Sequence, residues 1–157
     1  MKHRISAGAL VVQDDKLLLV NHVKQGYYNF WVAPGGGVIG TEDLREAARR
    51  EVKEETGLDT RIGKLAYVEE MYRPEAGAEV RECKFWFLTE LASDAQEISV
   101  DAPEAVVEGI VGAAFFAKEE LNTVTVPPPF LHAEFWEDLK AGSPEPKYLG
   151  VRKLEFW

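Results

Sequence analysis

Three glutamates, Glu51, Glu54 and Glu55, fall within five consecutive positions of the stretch RREVKEETGL, Arg49 to Leu58. Carboxylates offer only acceptor oxygens, so a held group of them suits gripping a hard divalent cation or moving a proton. On a helical wheel of about 100° per residue with Glu51 at zero, Glu54 lies at about −60° and Glu55 at about +40°. All three share one face. Leu44, Ala47 and Ala48 fall on that same face, at about +20°, −40° and +60°. The stripe therefore begins as apolar core and continues as acid. Arg45, Arg49 and Lys53 lie opposite, where a solvated face belongs. A Glu/Arg-rich helix is ordinarily an exposed surface laced with i, i+4 pairs. Here the acids occupy the inward stripe, where crowded like charges raise their own pKa values or need a cation. Metal binding answers that charge problem, and Arg50, four residues before Glu54, is placed to orient its carboxylate.

The elements that must position these acids are partly legible. Ile5 to Val12 and Lys16 to Val20 are β-branched-rich apolar runs separated by Gln13-Asp14-Asp15, the pattern of a hairpin. The polar and aromatic stretch HVKQGYYNFW leads to Ala33-Pro34-Gly35-Gly36-Gly37, which is expected to be neither helix interior nor regular strand. Thr41 is read as an N-cap, with Glu42 and Asp43 in the first helical turn, and the helix runs to about Thr56 with Gly57 as its left-handed C-terminal cap. Leu65 to Tyr72 and Val80 to Leu91 read as two longer strands joined by a turn at RPEAGAE. In the second, Cys83, Phe85 and Phe87 alternate with Trp86 and Leu88, so that strand is expected mid-sheet with both faces covered. Ala92 to Glu108 reads as acidic loop, and Ile110 to Ala117 as a strand. Beyond Val126 and three prolines, Leu131, Phe135 and Leu139 form a helical stripe. Tyr148 to Trp157 is strand-like.

Extended upstream, the acidic stretch becomes GGVIGTEDLREAARREVKEETGL, Gly36 to Leu58. Gly36, Glu42, Arg50, Glu51, Glu54, Glu55 and Gly57, with apolar Val52 and Leu58, resemble the Nudix box without a departure. Seven such identities would arise by chance at on the order of one in a billion starting positions. A leading hairpin, Trp31 shortly before Pro34-Gly35-Gly36 and a helix near the C-terminus also look like that family. The resemblance implies an α/β fold, an α/β/α sandwich with a mixed β-sheet, in one domain spanning residues 1–157. It also implies Mg²⁺- or Mn²⁺-dependent hydrolysis of a nucleoside diphosphate linked to another group X. Carried over residue by residue, Glu51, Glu54 and Glu55 would hold metal, with Glu54 or an outside glutamate activating water. Arg50 would orient the acids, Glu42 would support the site, and Gly36 would bring loop backbone close to the metal. A further acid often comes from a later loop; Glu104 and Glu108 are the candidates, and Glu108 is preferred because it immediately precedes a strand. Gly109 intervenes there, so the register departs from the commoner arrangement.

Substrate contacts are expected from Trp31, Tyr72 and Arg73, with Tyr27, Tyr28 and Asn29 beside them. Pro74, sixteen residues beyond the box, occupies a position associated with ADP-ribose-cleaving members, and it also suits a simple turn. Isolated His3, His22 and His132 are expected in core or surface roles.

Composition bounds the alternatives. The chain has 157 residues, 46% hydrophobic and 29% charged, as an ordinary soluble domain does. Eighteen Lys and Arg against 27 Asp and Glu give a net charge of −9, which opposes non-specific nucleic-acid binding and anionic membrane surfaces. One cysteine, Cys83, suits a reducing compartment and is expected as a buried strand thiol. The first residues make a poor signal peptide, and no stretch approaches the roughly 20 apolar residues of a spanning helix, so a cytoplasmic protein is expected. Two other classes are weighed. A catalytically silent Nudix-like binding or regulatory domain would usually lose box acids, and none is missing. An interaction role would lie in the tail, where Phe156 and Trp157 are candidates for a partner contact or a homodimer.

Overall fold

The computed structural model describes residues 1–75 and 78–154. Residues 76–77 of the expected turn and the tail aromatics Phe156 and Trp157 lie outside the described residues. Strands β1 (Lys2–Gln13) and β2 (Lys16–Lys24) form the expected hairpin, pairing antiparallel with Gln13 opposite Lys16. Its two-residue turn, Asp14-Asp15, has φ of 50° and 57°. Positive φ at both central positions is what lets a turn follow the right-handed twist of its strands, and aspartate tolerates it.

Strands β3 (Tyr28–Val32), β4 (Gly35–Gly37), β5 (Thr60–Glu75), β6 (Ala78–Leu91), β7 (Ile110–Phe116) and β8 (Lys147–Lys153) complete a mixed sheet. Its order is β3-β2-β1-β6-β5-β8, with β4 paired to β1 and β7 paired to β2. β6 runs parallel to β1 and antiparallel to β5, so it lies mid-sheet as its two apolar faces require. Phe87 packs with Ala47, Ala48 and Val52 of helix α1 (Leu44–Thr56). On the other face Trp86 packs with Leu131 and Phe135, the latter in helix α3 (Glu134–Lys140). The two layers of helix on either face of the sheet give the α/β/α sandwich. Tyr67 on β5 donates to Asp138 Oδ2 at 2.6 Å, and Lys147 of β8 bonds Asp138 Oδ1 at 2.6 Å. These contacts tie α3 to two strands.

Several elements differ from the sequence reading. The glycine run is a short strand after all, because Gly35 approaches β1 so closely that a Cβ there would stand 2.5 Å from the Ala7 carbonyl oxygen. The helix cap is Asp43, not Thr41: its carboxylate accepts from Arg45 and Glu46 N–H at 2.8 and 2.9 Å, and Glu46 returns a bond to Asp43 N–H at 2.7 Å. That reciprocal box satisfies more orphan donors than a threonine two residues earlier could. The aromatic stretch before the glycines forms β3, aromatic side chains suiting a pleated surface. Within the acidic loop, Pro103–Val107 forms helix α2, too short to show a period. The proline-rich segment opens as a 3-10 turn at Pro129–Leu131 before α3, since proline lacks the N–H that a continuous helix would use. Cys83 is half-buried rather than buried.

Candidate active site

Helix α1 is held at both ends. Beyond the Asp43 cap, Gly57 takes φ 74° and its N–H closes on the Lys53 carbonyl at 2.9 Å. Ala47, Ala48 and Val52 are fully buried against the sheet, which fixes the rotation of the helix and turns the acid stripe inward. Glu51 is 4% exposed and Glu55 1%.

The Arg50 guanidinium organises the acids. It donates to both oxygens of Glu42, at 2.7 and 3.0 Å, to Glu51 Oε1 at 2.9 Å, to Glu54 Oε2 at 3.0 Å and to the Gly37 carbonyl at 3.0 Å. A planar fork of five N–H donors is the one side chain able to serve so many acceptors at once. The bond from Arg50 holds Glu42 below its ordinary carboxyl range. Glu42 also accepts the Ile39 N–H at 2.7 Å, which joins the loop before α1 to the same network.

Arg50 leaves the deepest oxygens unserved. Glu51 Oε2 and both Glu55 oxygens are buried without a hydrogen-bond partner among the described residues. Burial raises Glu51 despite Arg50, and raises Glu55 well above its ordinary value, with the charges of Glu51 and Glu108 adding to it. The nearby Gly35 backbone moderates the rise without completing a hydrogen bond. Glu108 closes the group from outside the helix. It is the C-cap of α2, immediately before Gly109 at φ 76° and β7, and that left-handed glycine turns the chain into the strand. Although Glu108 is exposed as a residue, its carboxyl is raised by partial enclosure and then by Glu51 and Glu54. Glu51, Glu55 and Glu108 each present an oxygen, all within 4.8 Å of one another. Three converging carboxylates, two of them with orphaned oxygens, fit a hard divalent cation, because an all-oxygen donor set and an unmet charge are what Mg²⁺ or Mn²⁺ would satisfy. Glu54 stands beside this triad with its side chain 25% exposed, bonded to Arg50. Gly36 packs against Glu51: a Cβ there would be 2.6 Å from Glu51 Cδ.

The acid group sits between two depressions. On one side is a cavity of about 870 Å³ reached by Gly36 and Glu108, floored by Lys84 and Trp86 and walled by Tyr27, Tyr28 and Asn29. On the other is an open groove that contains Arg50, Glu51, Glu54 and Glu104. Arg4 and Glu108 line both. Of the expected substrate contacts, Arg73 lines the cavity and Trp31 and Tyr72 do not. Trp31 is packed edge-on to Phe116, ring centroids 4.8 Å apart, and the Tyr72 hydroxyl bonds Glu79. His22 stacks on Phe30 and lines the cavity; burial pushes its ring down to about 4, so it is neutral at physiological pH. His132 Nε2 donates to the Val126 carbonyl oxygen at 2.7 Å.

Sequence reasoning missed Arg4, Lys84, Glu69 and Glu82, all of which line the cavity. The alternation of β6 held a signal for two of them, because Glu82 and Lys84 share the face of Trp86. For Arg4 nothing in the local sequence pointed to the site.

Comparison with known proteins gives a consistent picture. A profile of the family described as NUDIX domain matches residues 2–137. An RNA pyrophosphohydrolase from Bartonella henselae is 28% identical over 163 aligned positions, covering 89% of this chain and 79% of that protein. Diphosphoinositol polyphosphate phosphohydrolase 2 from Rattus norvegicus is 32% identical over 130, covering 83% of this chain and 65% of that protein. The chain thus spans just under two thirds of the rat protein's length. Among solved structures, a NUDIX hydrolase from Nitrosomonas europaea superposes with a TM-score of 0.76 at 18% identity, covering 98% of this chain and 81% of the other. That likeness speaks to the fold.

Proposed function

The chain belongs to the Nudix family, and on that premise we propose that it hydrolyses the pyrophosphate linkage of a nucleoside diphosphate joined to a further group X. The observation that carries this reading is the convergence of Glu51, Glu55 and Glu108 within 4.8 Å, with buried Glu51 and Glu55 oxygens that have no hydrogen-bond partner among the described residues. In this reading those three carboxylates hold Mg²⁺ or Mn²⁺, and Gly36 keeps the loop backbone against them. When bound, the ion supplies positive charge against the phosphate oxygens and makes nearby water more acidic.

The remaining roles fall to the chain's own residues. Arg50 fixes the rotamers of Glu51 and Glu54, so the acids are ordered before substrate arrives. Glu54 faces the open groove and accepts the proton of the attacking water. Water adds to phosphorus in line, and the bond to the bridging oxygen breaks. Arg4 and Lys84 sit beside the acids on the cavity side and balance charge on the phosphoryl oxygens. Glu42 bears no chemistry of its own; it holds Arg50 in place. No covalent enzyme intermediate is required.

A sheet that runs from Lys2 to Lys153 supports the reading of one catalytic domain. Among the described residues no helix is long and apolar enough to cross a membrane. One cysteine and a nucleotide substrate suit the cytoplasm. The test is a panel of nucleoside triphosphates, nucleotide sugars, dinucleoside polyphosphates and ADP-ribose with Mg²⁺ or Mn²⁺, scored by product identity. Release of a nucleoside monophosphate, or of pyrophosphate from a triphosphate, is expected only with divalent ion. A pure protein that binds these compounds and cleaves none of them would instead be a silent binding domain.

A further inference from the structure

The cavity contains a carboxylate that the hydrolytic reading does not use. Glu82 on β6 lines the cavity floor and is 7% exposed, yet it has no hydrogen bond or ion pair among the described residues. Its cross-strand neighbours are Arg4 on β1 and Met71 on β5. Arg4 turns elsewhere: a Cβ on Gly37 would stand 2.9 Å from its guanidinium. The other floor acid, Glu69, is already engaged, accepting from Trp86 Nε1 at 3.0 Å and from Arg152 at 3.4 Å. The Glu82 oxygens are not among the fully buried unsatisfied ones, so an otherwise enclosed side chain opens its acceptors onto the cavity, where a ligand can supply the donor.

Register places Glu82 relative to the acids. Gly36 pairs with Ala7, and Ala7 with Phe85. Glu82 is three residues along β6 from that row, roughly 10 Å at about 3.3 Å per residue. Lys84 is one residue from that row, and its ammonium lies 4.4 Å above the Trp86 ring, away from Glu82 and on the side of the acids. The floor therefore holds acids and cation at one end and an open acceptor at the other, which suits phosphates at the first and a base at the second for a nucleotide laid along it.

We propose that Glu82 reads the nucleobase and selects guanine. A carboxylate presents two adjacent acceptors and no donor. Guanine offers two adjacent donors, its ring N1–H and its 2-amino group, and can match both oxygens in parallel, as a guanidinium does. Adenine and cytosine set an acceptor nitrogen beside their amino group, and uracil and thymine flank their N–H with carbonyls. Each of these would turn a lone pair toward Glu82. The inference rests on the nucleotide reading above, and it is tested without turnover.

The experiment is calorimetric titration of the protein, in chelator and without divalent ion, with guanosine, inosine and adenosine monophosphates. Inosine monophosphate differs from the guanosine compound only by the missing 2-amino group. The wild-type protein is expected to bind guanosine monophosphate at least about tenfold tighter than either of the others, the loss of one charge-assisted hydrogen bond. In Glu82→Gln, whose amide presents one acceptor and one donor, the ratio is expected to fall to about threefold or less. Equal binding of all three by the wild-type protein, or an undiminished ratio in a folded Glu82→Gln, would overturn the assignment. The guanosine-to-inosine comparison decides even if the variant misfolds. Failure of the hydrolytic reading shows separately, as absent cleavage of every nucleotide with Mg²⁺ while the binding ratio persists.

Discussion

Gly36 and Glu51 meet where only a hydrogen fits: a Cβ on the glycine would lie 2.6 Å from the Glu51 carboxyl carbon and 2.9 Å from its Oε2. A strand residue and a helix residue thereby set each other's position, and the buried Glu51 carboxyl is held in one place. Gly36→Ala is expected to destabilise the protein by about 1–3 kcal/mol through overpacking. Turnover should fall further than stability explains, because the displaced carboxylate belongs to the proposed ion site. Thermal unfolding and kcat measured on the same preparation separate the two effects.

Arg50 serves three carboxylates and a carbonyl at once, so replacing it by lysine is not conservative. Arg50→Lys retains the charge and loses the fork, leaving Glu42 or Glu54 short of a donor. We expect a loss of about 1–3 kcal/mol by denaturant titration. A fall in kcat with a smaller change in KM would mark the loss as one of ordering the acids rather than of binding.

The buried acids make a pH signature for the ion-free protein. Glu51 and Glu55 have folded-state values raised above the ordinary carboxyl value of 4.5. A raised carboxyl binds its proton more tightly when folded, so its contribution to stability is present below about pH 4.5 and is lost as pH rises through the folded value. In chelator, Tm should decline with rising pH above that point more steeply for the wild type than for Glu55→Gln. Adding Mg²⁺ should remove the difference in slope, because the ion favours the charged form. Identical slopes for both proteins in chelator would show that Glu55 is not desolvated as described.

Tyr67 and Asp138 provide a contrasting case away from the acids. The Tyr67 hydroxyl donates at 2.6 Å, and although partial burial acts to raise Asp138, bonds from Lys147 and Tyr67 hold it below its ordinary value. That contribution is present above the ordinary aspartate range and is lost as pH falls through the depressed value. Tyr67→Phe should cost about 1–2 kcal/mol in denaturant titration at neutral pH. Its kcat should stay near the wild-type value, since the pair ties α3 to the sheet and touches neither depression.

Local signals carried much of this architecture. The hairpin, the acid helix with its Gly57 stop, the two-faced β6 and the strand after Glu108 were legible because periodicity and turn chemistry act over a few residues. The stripe of Leu44, Ala47 and Ala48 running into Glu51 and Glu55 already implied an inward acid face. What the sequence hid depends on register between distant strands. Lys84 and Arg4 come beside the acids, and Glu82 into the same cavity, only because β1 and β6 run parallel, a pairing with no local mark. Trp31 was misdirecting for the opposite reason: an aromatic next to the glycines is well suited to contact a ligand, yet packing against Phe116 keeps it out of the cavity. The Asp43 cap was visible as an Asp-x-x-Glu pattern, and Thr41 competed with it only through residue type.

The proposed ion site depends most directly on Glu55, whose two oxygens are buried with no hydrogen-bond partner among the described residues. The decisive measurement is Mg²⁺-dependent cleavage by Glu55→Gln beside the wild type, on whichever nucleotide the panel identifies, with Mn²⁺ binding titrated on both. The variant should stay folded, bind Mn²⁺ more weakly and lose at least about a hundredfold in kcat. Wild-type turnover in folded Glu55→Gln, or full turnover of the wild type in excess chelator, would contradict the account.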